Sequence, residues 1–124
     1  MSAALLSLIV EQGADFKRVL TIKDSAGVVV NLTGYSFAGQ IRRHYGDTKK
    51  LADFAFNILD QGISGNVGKV EMAISNANTS LIPATLNPDG TLMDYVYDVE
   101  MTNASSFKDR IIRGPIVFIP EVTR

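Results

Sequence analysis

Apolar and polar residues alternate along most of the chain with a period of two, and turn residues interrupt the alternation. In the clearest case, Tyr95 and Tyr97 share one side of an extended segment, with Asp94 and Asp98 on the other. Such alternation is typical of β-strands that bury one face. No long helical period is present, and residues 76–83 allow at most one helical turn. The pattern predicts one all-β domain of about seven or eight short strands, a sandwich or a barrel.

Individual residues predict local features of these strands. Arg18 falls on the apolar side of its strand, which indicates that this strand reaches a sheet edge or rim. Asp24 and Gly27 suit the first and last positions of a turn, and the β-branched residues 28–32 are expected to return as a strand. Pro115 lies in the middle of the last strand. Because proline has no N–H to donate, a bulge or an edge position is expected there.

Composition and charge restrict the classes of function. The 124 residues, 46% of them hydrophobic, can form one domain with its own core. Twelve basic and thirteen acidic residues give a net charge of −1, which offers no electrostatic basis for binding nucleic acid. The chain has no cysteine, so it has no disulfide, no thiolate nucleophile and no cysteine-based metal site.

The first ten residues are strongly apolar. They lack the basic region and the cleavage site of a signal peptide, and they are too short to cross a bilayer. We expect residues 1–10 to form an apolar arm or a first strand and residues 11–124 to form a single sandwich domain. No membrane partner is expected.

No residue pattern in the chain predicts catalysis. The single histidine, His44, lies in a charged loop without a partner to orient it, and we expect it to be solvated. Asp94, Asp98 and Glu100 share one side of a strand. They could contribute to a calcium site or to a carboxylate pair, but alternation alone predicts them as a water-facing polar surface. We therefore expect a non-enzyme, with no catalytic residue, no metal ligand and no cofactor.

Several different short motifs follow one another along most of the chain. They are Gln-Gly-x-x-Phe, Leu-x-Ile-x-Asp-x-x-Gly, Asn-Leu-Thr-Gly-Tyr with a strand ending in Ile-Arg, and Tyr-x-Tyr-Asp-Val followed by Gly-x-x-Val. Their residues are Gln12, Gly13, Phe16, Leu20, Ile22, Asp24, Gly27, Asn31, Leu32, Thr33, Gly34, Tyr35, Ile41, Arg42, Thr79, Ile82, Pro83, Tyr95, Tyr97, Asp98, Val99, Gly114, Val117, Val122 and Thr123. The set resembles the immunoglobulin-like N-terminal domain of baseplate upper proteins and of fibre-linking tail proteins of phages.

The resemblance implies an immunoglobulin-like antiparallel β-sandwich that docks on a phage tail or baseplate and connects it to host-binding appendages. Such domains usually begin a longer chain that continues into a trimerising or receptor-binding part, whereas this sequence stops at Arg124. The expected function is that of a virion structural adaptor, made in the host cytoplasm and present in many copies among other tail, baseplate or fibre proteins. A capsid decoration protein and a carbohydrate-binding module are the alternatives.

An adaptor of this kind needs surfaces that contact its neighbours. We expect residues 4–10 and the last four residues to contact other chains, and deletion of the first ten to weaken assembly while leaving the β fold intact. The basic pair Arg42 and Arg43 is expected in a solvated loop or in a salt-bridging interface loop. The candidate interface residues are Leu5, Leu6, Leu8, Ile9, Val10, Arg42, Arg43, Glu121 and Arg124.

Overall fold

The strands of the protein form two packed sheets. The computed structural model describes residues 4–83 and 88–120, and within them nine strands: β1 (Ala4–Leu5), β2 (Leu8–Glu11), β3 (Phe16–Thr21), β4 (Ser36–Arg42), β5 (Ala52–Asp53), β6 (Ala55–Ile58), β7 (Lys69–Ile74), β8 (Asp94–Thr102) and β9 (Lys108–Ile119). A 3₁₀ turn (Ser64–Asn66) and one helical turn, α1 (Asn76–Thr79), complete the elements. The prediction of at most one helical turn is confirmed.

The order of the strands is that of an immunoglobulin-like sandwich. The larger sheet has the order β1-β9-β8-β4-β5, with β2 also pairing with β9, and the smaller has the order β3-β7-β6. In the variable-type immunoglobulin arrangement, the sheet that contains the last two strands is extended by an additional strand. Here β5, which pairs with β4, is that additional strand. The predicted fold class is therefore confirmed. One detail differs, because β1 and β2 run parallel to β9 and the sheet is not wholly antiparallel.

Alternate side chains of both sheets fill the space between them. Phe37 of β4 stacks on Phe56 of β6 with ring centroids 5.8 Å apart, so these two strands face each other across the core. On the opposite side of the sandwich, β3 lies towards β9 and β1. The largest fully buried side chains are Tyr97, Phe118, Leu8, Leu32, Ile41 and Met72.

The N-terminal segment is part of this core. Leu8 and Val10 are each 1% exposed, whereas Ile9 between them is 66% exposed. The alternation arises because β2 pairs with β9 at the edge of the larger sheet, so that every second side chain points inwards. Of the two alternatives, an arm or a first strand, the described part of the segment is a first strand within the fold, and the burial of Leu8 and Val10 removes their side chains from the candidate interface.

The first strand is interrupted where it passes Gly114. An alanine Cβ at Gly114 would lie 2.2 Å from the carbonyl oxygen of Leu6, so the backbone of Leu6 occupies the space that a side chain would need. The N–H of Leu6 donates to the carbonyl of Arg113, and its carbonyl accepts a 2.7 Å hydrogen bond from the hydroxyl of Tyr97. Residues 6 and 7, between β1 and β2, thus bend inwards over the glycine.

The expected irregularity of the last strand lies elsewhere. Pro115 pairs in register with Val96, while the register shifts where Val99 faces Ile112 and Glu100 faces Arg110. The extra residue on β9 is therefore Ile111, and of the two alternatives expected at Pro115, a bulge or an edge position, the bulge is not found there. Pro115 is tolerated because the neighbouring first strand is interrupted beside it, so the missing N–H removes no ladder bond there.

Residues 28–32 do not form the strand that was predicted. Only one isolated bridge, between Lys23 and Val29, joins this segment to the preceding one. The side chain of Asp24 accepts hydrogen bonds from the N–H groups of Ala26 and Val28, and Gly27 has a φ of +81°. These bonds close a tight loop between Asp24 and Val28. The β-branched side chains of residues 28–32 favour a strand, but they do not form one next to this loop.

The hydroxyl groups of two buried side chains, Thr79 and Tyr95, form hydrogen bonds with backbone groups that are distant in the chain. Thr79, fully buried in α1, accepts from the N–H of Gly13 at 3.1 Å and donates to the carbonyl of Ala14 at 2.8 Å. The hydroxyl of Tyr95 donates to the carbonyl of Pro83. A tyrosine near the start of the penultimate strand that bonds back to upstream backbone is a hallmark of immunoglobulin-like sandwiches.

Candidate protein-binding site

The outer edge of β3 is free of any pairing with the described residues. The strand lies at the end of the smaller sheet and pairs only with β7, from Phe16 opposite Ile74 to Thr21 opposite Lys69. The sequence prediction that the strand containing Arg18 reaches a sheet edge is confirmed. We call the unpaired side of Phe16–Thr21 the open edge.

The ladder determines which backbone groups lie at the open edge. Ile22 donates its N–H to Gly68, which continues the β3–β7 register by one residue. Hydrogen-bonded pairs alternate along an antiparallel ladder, so the even-numbered residues of β3 bond to β7. The N–H and C=O groups of Lys17, Val19 and Thr21 consequently point away from the sheet.

An apolar groove lies beside the open edge, between the two sheets. Its volume is about 460 Å³. The smaller sheet contributes the end of β3 and the loop that follows it, and the larger sheet contributes β1, β8 and β9. We call this space the edge groove; its apolar lining includes Leu20, Ile22, Val30, Met101, Ile111 and Ile112.

Two cations, Arg18 and Lys23, lie on or just after β3. Arg18 lies on the core-facing side of β3, between Phe16 and Leu20, yet it is exposed. Lys23 lines the edge groove. Three carboxylates near β3 have other partners: Asp24 accepts from its own loop, Asp15 accepts from the N–H of Asn76 at 2.6 Å, and Glu71 of β7 lies 3.6 Å from the Nζ of Lys17.

The structure divides the N-terminal candidate residues into two groups. Leu5 and Ile9 are 73% and 66% exposed and point outwards from the edge of the larger sheet. Leu6 is half-buried and uses its backbone within the fold, and Leu8 and Val10 belong to the core. Only Leu5 and Ile9 of this set therefore offer apolar side chains to a partner.

The remaining candidates do not join this surface. Arg42 donates to the side chain of Gln40 at 2.7 Å and to the carbonyl of Asp47, and Arg43 donates to the carbonyl of Asp94 and lies 5.5 Å from the ring centre of Tyr95. Two strands, β8 and β9, separate them from β1 and β2. Glu121 and Arg124 lie outside the described residues.

The outer face of the larger sheet is polar, as alternation predicts. Arg110 forms a 3.0 Å ion pair with Asp98, and these residues line a shallow cleft of about 200 Å³ together with Tyr45 and Arg113. Sequence reasoning missed this cleft, because Tyr45 lies in a loop far from β8 and β9 in the chain. In residues 4–83 and 88–120, no three His, Asp or Glu side chains are grouped closely enough to hold a metal ion.

The buried phenol of Tyr97, which supports the bend of the first strand, gives a pH-dependent prediction. Burial raises the pKa of Tyr97 to about 12, and the charge of Arg18 opposes that rise. In the unfolded chain the pKa of tyrosine is about 10. The folded state therefore holds the proton more tightly, and the resulting stability is complete below about pH 10 and is lost as the pH rises towards about 12.

We expect the free energy of unfolding to fall across that pH window, and to fall less in Tyr97→Phe. Urea unfolding of both proteins at several pH values measures the difference. A smaller fall should remain in the variant, because burial also raises the pKa of Tyr95. Parallel profiles for the two proteins would show that Tyr97 does not carry the effect.

Comparison with known proteins adds little to this geometry. No protein-family model and no curated protein matches the sequence. Among solved structures, the chain is similar to the sialic acid binding region of a Streptococcus sanguinis SK1 adhesin bound to 3′sLn, with 19% identity, a TM-score of 0.44, and coverage of 91% of this chain and 27% of that one. It is also similar to murine CRIg, with 17% identity, a TM-score of 0.34, and coverage of 90% and 89%.

The chain thus spans about a quarter of the length of the adhesin region. At these TM-scores neither likeness bears on function, and the resemblance to phage baseplate modules stays a prediction. No helix in the described part of the chain is long and apolar enough to cross a membrane.

Proposed function

We propose that this protein is a non-catalytic structural component of a tailed-phage particle, an adaptor that connects the tail or baseplate to host-binding appendages. The observation that carries the proposal is the open edge of β3 next to the edge groove. The motif resemblance supports the location on a phage tail. The open edge and the edge groove support attachment to another protein.

An unpaired edge beside an apolar groove is suited to binding protein. Free N–H and C=O groups can form main-chain hydrogen bonds with an extended segment, and the groove can bury its side chains. Soluble proteins usually protect a free edge with charges, bulges or covering loops. Here Lys17 and Arg18 provide charge, but the edge groove at the end of the strand stays open to a partner.

The polar cleft around Tyr45 gives the carbohydrate-binding alternative its one specific observation. An aromatic ring beside charged hydrogen-bonding groups can hold a sugar, and Arg113 and Asp98 line the same cleft. Binding of the chain to a glycan panel, with loss of that binding in Tyr45→Ala, would favour this function over the adaptor.

Localisation on the particle tests the adaptor function. We expect gold-tagged antibody against the chain to label the tail tip or its appendages in electron micrographs of purified virions. Labels over the head would instead indicate a capsid decoration protein, the alternative within the structural class. If labels are absent, mass spectrometry of the same particles decides between a hidden epitope and a protein outside the virion, and the second result refutes the proposal.

A further inference from the structure

We propose that the open edge of β3 receives an extended segment from a different virion protein, which becomes a fourth strand of the smaller sheet. The part of that segment beside Leu20 buries an apolar side chain in the edge groove, and a carboxylate two residues away along the segment faces Arg18. The inference rests on the proposed function and specifies the chemistry of the partner.

The backbone of β3 offers a complete row of bonding groups. Lys17, Val19 and Thr21 each point one N–H and one C=O outwards, and no described residue accepts or donates there. Six residues of unbroken strand lie along this edge. The other free edge on the same side of the sandwich, formed by β1 and β2, is interrupted at residues 6 and 7 and is less suited to an added strand.

The edge groove determines the apolar part of the partner. Its volume of about 460 Å³ falls within the range of about 300–1,000 Å³ that is typical of binding clefts. A strand added to β3 would direct every second side chain towards the space between the sheets, beside Phe16, Arg18 and Leu20, and of these three Leu20 lines the edge groove. An apolar side chain next to Leu20 would replace water against the apolar wall of the groove.

Arg18 determines the charged part of the partner segment. It lies between two apolar side chains on the core-facing side of β3, and no described residue forms a hydrogen bond or an ion pair with it. The nearest carboxylates of the loops are engaged elsewhere, as described above. A carboxylate of the partner at the position opposite Arg18 would form a cross-strand ion pair two residues before Leu20, where the groove begins.

Charge also argues against a second copy of this chain as the occupant. The sequence of β3 is Phe-Lys-Arg-Val-Leu-Thr, with two cations and no anion. Symmetric pairing of β3 with another copy, centred on Val19, would place Arg18 opposite Leu20 and would offer it no carboxylate. The partner is therefore a different protein with an acidic residue in an otherwise apolar alternating strand.

A palindromic peptide tests the pairing without assuming its direction. The probe is the blocked peptide Thr-Val-Thr-Glu-Thr-Val-Thr, which places Glu opposite Arg18 and Val opposite Phe16 and Leu20 whether it runs parallel or antiparallel to β3. The matched peptide carries Lys in place of Glu. Titration of the ¹⁵N-labelled full chain should give saturable shifts at the amides of Lys17, Val19 and Thr21, with binding of the Lys peptide about tenfold weaker or worse.

The charge-swapped chain provides the control. Arg18→Glu should reverse the preference and bind the Lys peptide more tightly than the Glu peptide, which a merely structural effect of the substitution cannot produce. Val19→Pro should abolish binding of both peptides, because it removes a donor at the open edge without removing one from the β3–β7 ladder. Circular dichroism verifies that both variants are folded.

The outcomes separate this inference from the proposed function. Failure of the Glu peptide to bind at up to about 1 mM, or an unchanged preference in Arg18→Glu, overturns strand addition even if virions carry the protein at the tail. Binding with the reversed preference upholds strand addition even if the protein is absent from virions. The localisation experiment then decides only where the partner occurs.

Discussion

A chain that lacks residues 1–10 is expected not to fold. Leu8 and Val10 are 1% exposed in the core, and the deletion removes five of the six register pairs that β1 and β2 form with β9. The loss of one buried leucine side chain alone costs about 2–5 kcal/mol, and a whole domain has only about 5–15 kcal/mol. Circular dichroism and urea unfolding of the truncated chain measure the result. A cooperative β spectrum with an unchanged midpoint would restore the dispensable arm.

Two point variants at neighbouring positions test the contribution of the buried side chains without shortening the chain. We expect Leu8→Ala to lower the free energy of unfolding by about 3 kcal/mol and Ile9→Ala to change it by less than about 0.5 kcal/mol. Both substitutions shorten an aliphatic side chain by a similar amount, but only that of Leu8 lies in the core. Equal losses in the two variants would mean that the inward and outward faces of β2 are assigned wrongly.

The second large effect is expected at Gly114. In Gly114→Ala the new Cβ would lie 2.2 Å from the carbonyl oxygen of Leu6 and 2.9 Å from its carbonyl carbon. Both atoms are backbone, so no side-chain rotation can relieve the overlap, and the first strand must move away from β9. That movement also removes the acceptor of the Tyr97 hydroxyl.

We expect Gly114→Ala to lose about 3 kcal/mol or more, at the upper end of the cost of overpacking. Gly46→Ala is the matched control, because a Cβ at Gly46 meets nothing within 4 Å. Urea midpoints of the two variants and the parent chain give the comparison. A Gly114→Ala protein as stable as the Gly46→Ala protein would show that residues 6 and 7 do not bend over the glycine.

The sequence predicted the elements of this fold best where one face of a strand is polar. In β8 the alternation of Tyr95 and Tyr97 with Asp94 and Asp98 identifies both the strand and its buried side, and the structure agrees. In β2 every residue from 8 to 10 is apolar, so the pattern shows no buried side and an arm could not be told from a strand. Only the tertiary pairing with β9 makes that distinction.

The candidate site was predictable in part. Arg18 on an apolar side indicated a strand edge, because a charge tolerates that position only where it reaches water. The edge groove was not predictable, because it combines Leu20 with Ile112, which are distant in the chain. Likewise, the β-branched residues 28–32 suggested a strand, but the hydrogen bonds of Asp24 close the loop that replaces it.

The parallel pairing of the first strands with β9 also determines how the molecule responds to tension. Because the strands run in the same direction, the chain enters at Ala4 and leaves after Ile119 at opposite ends of the same ladder. A pull on these two points acts along the strands and loads the register pairs in shear, all at once, instead of opening them one after another. The fold thus resists a force between Ala4 and Ile119 with all the pairs of this ladder together.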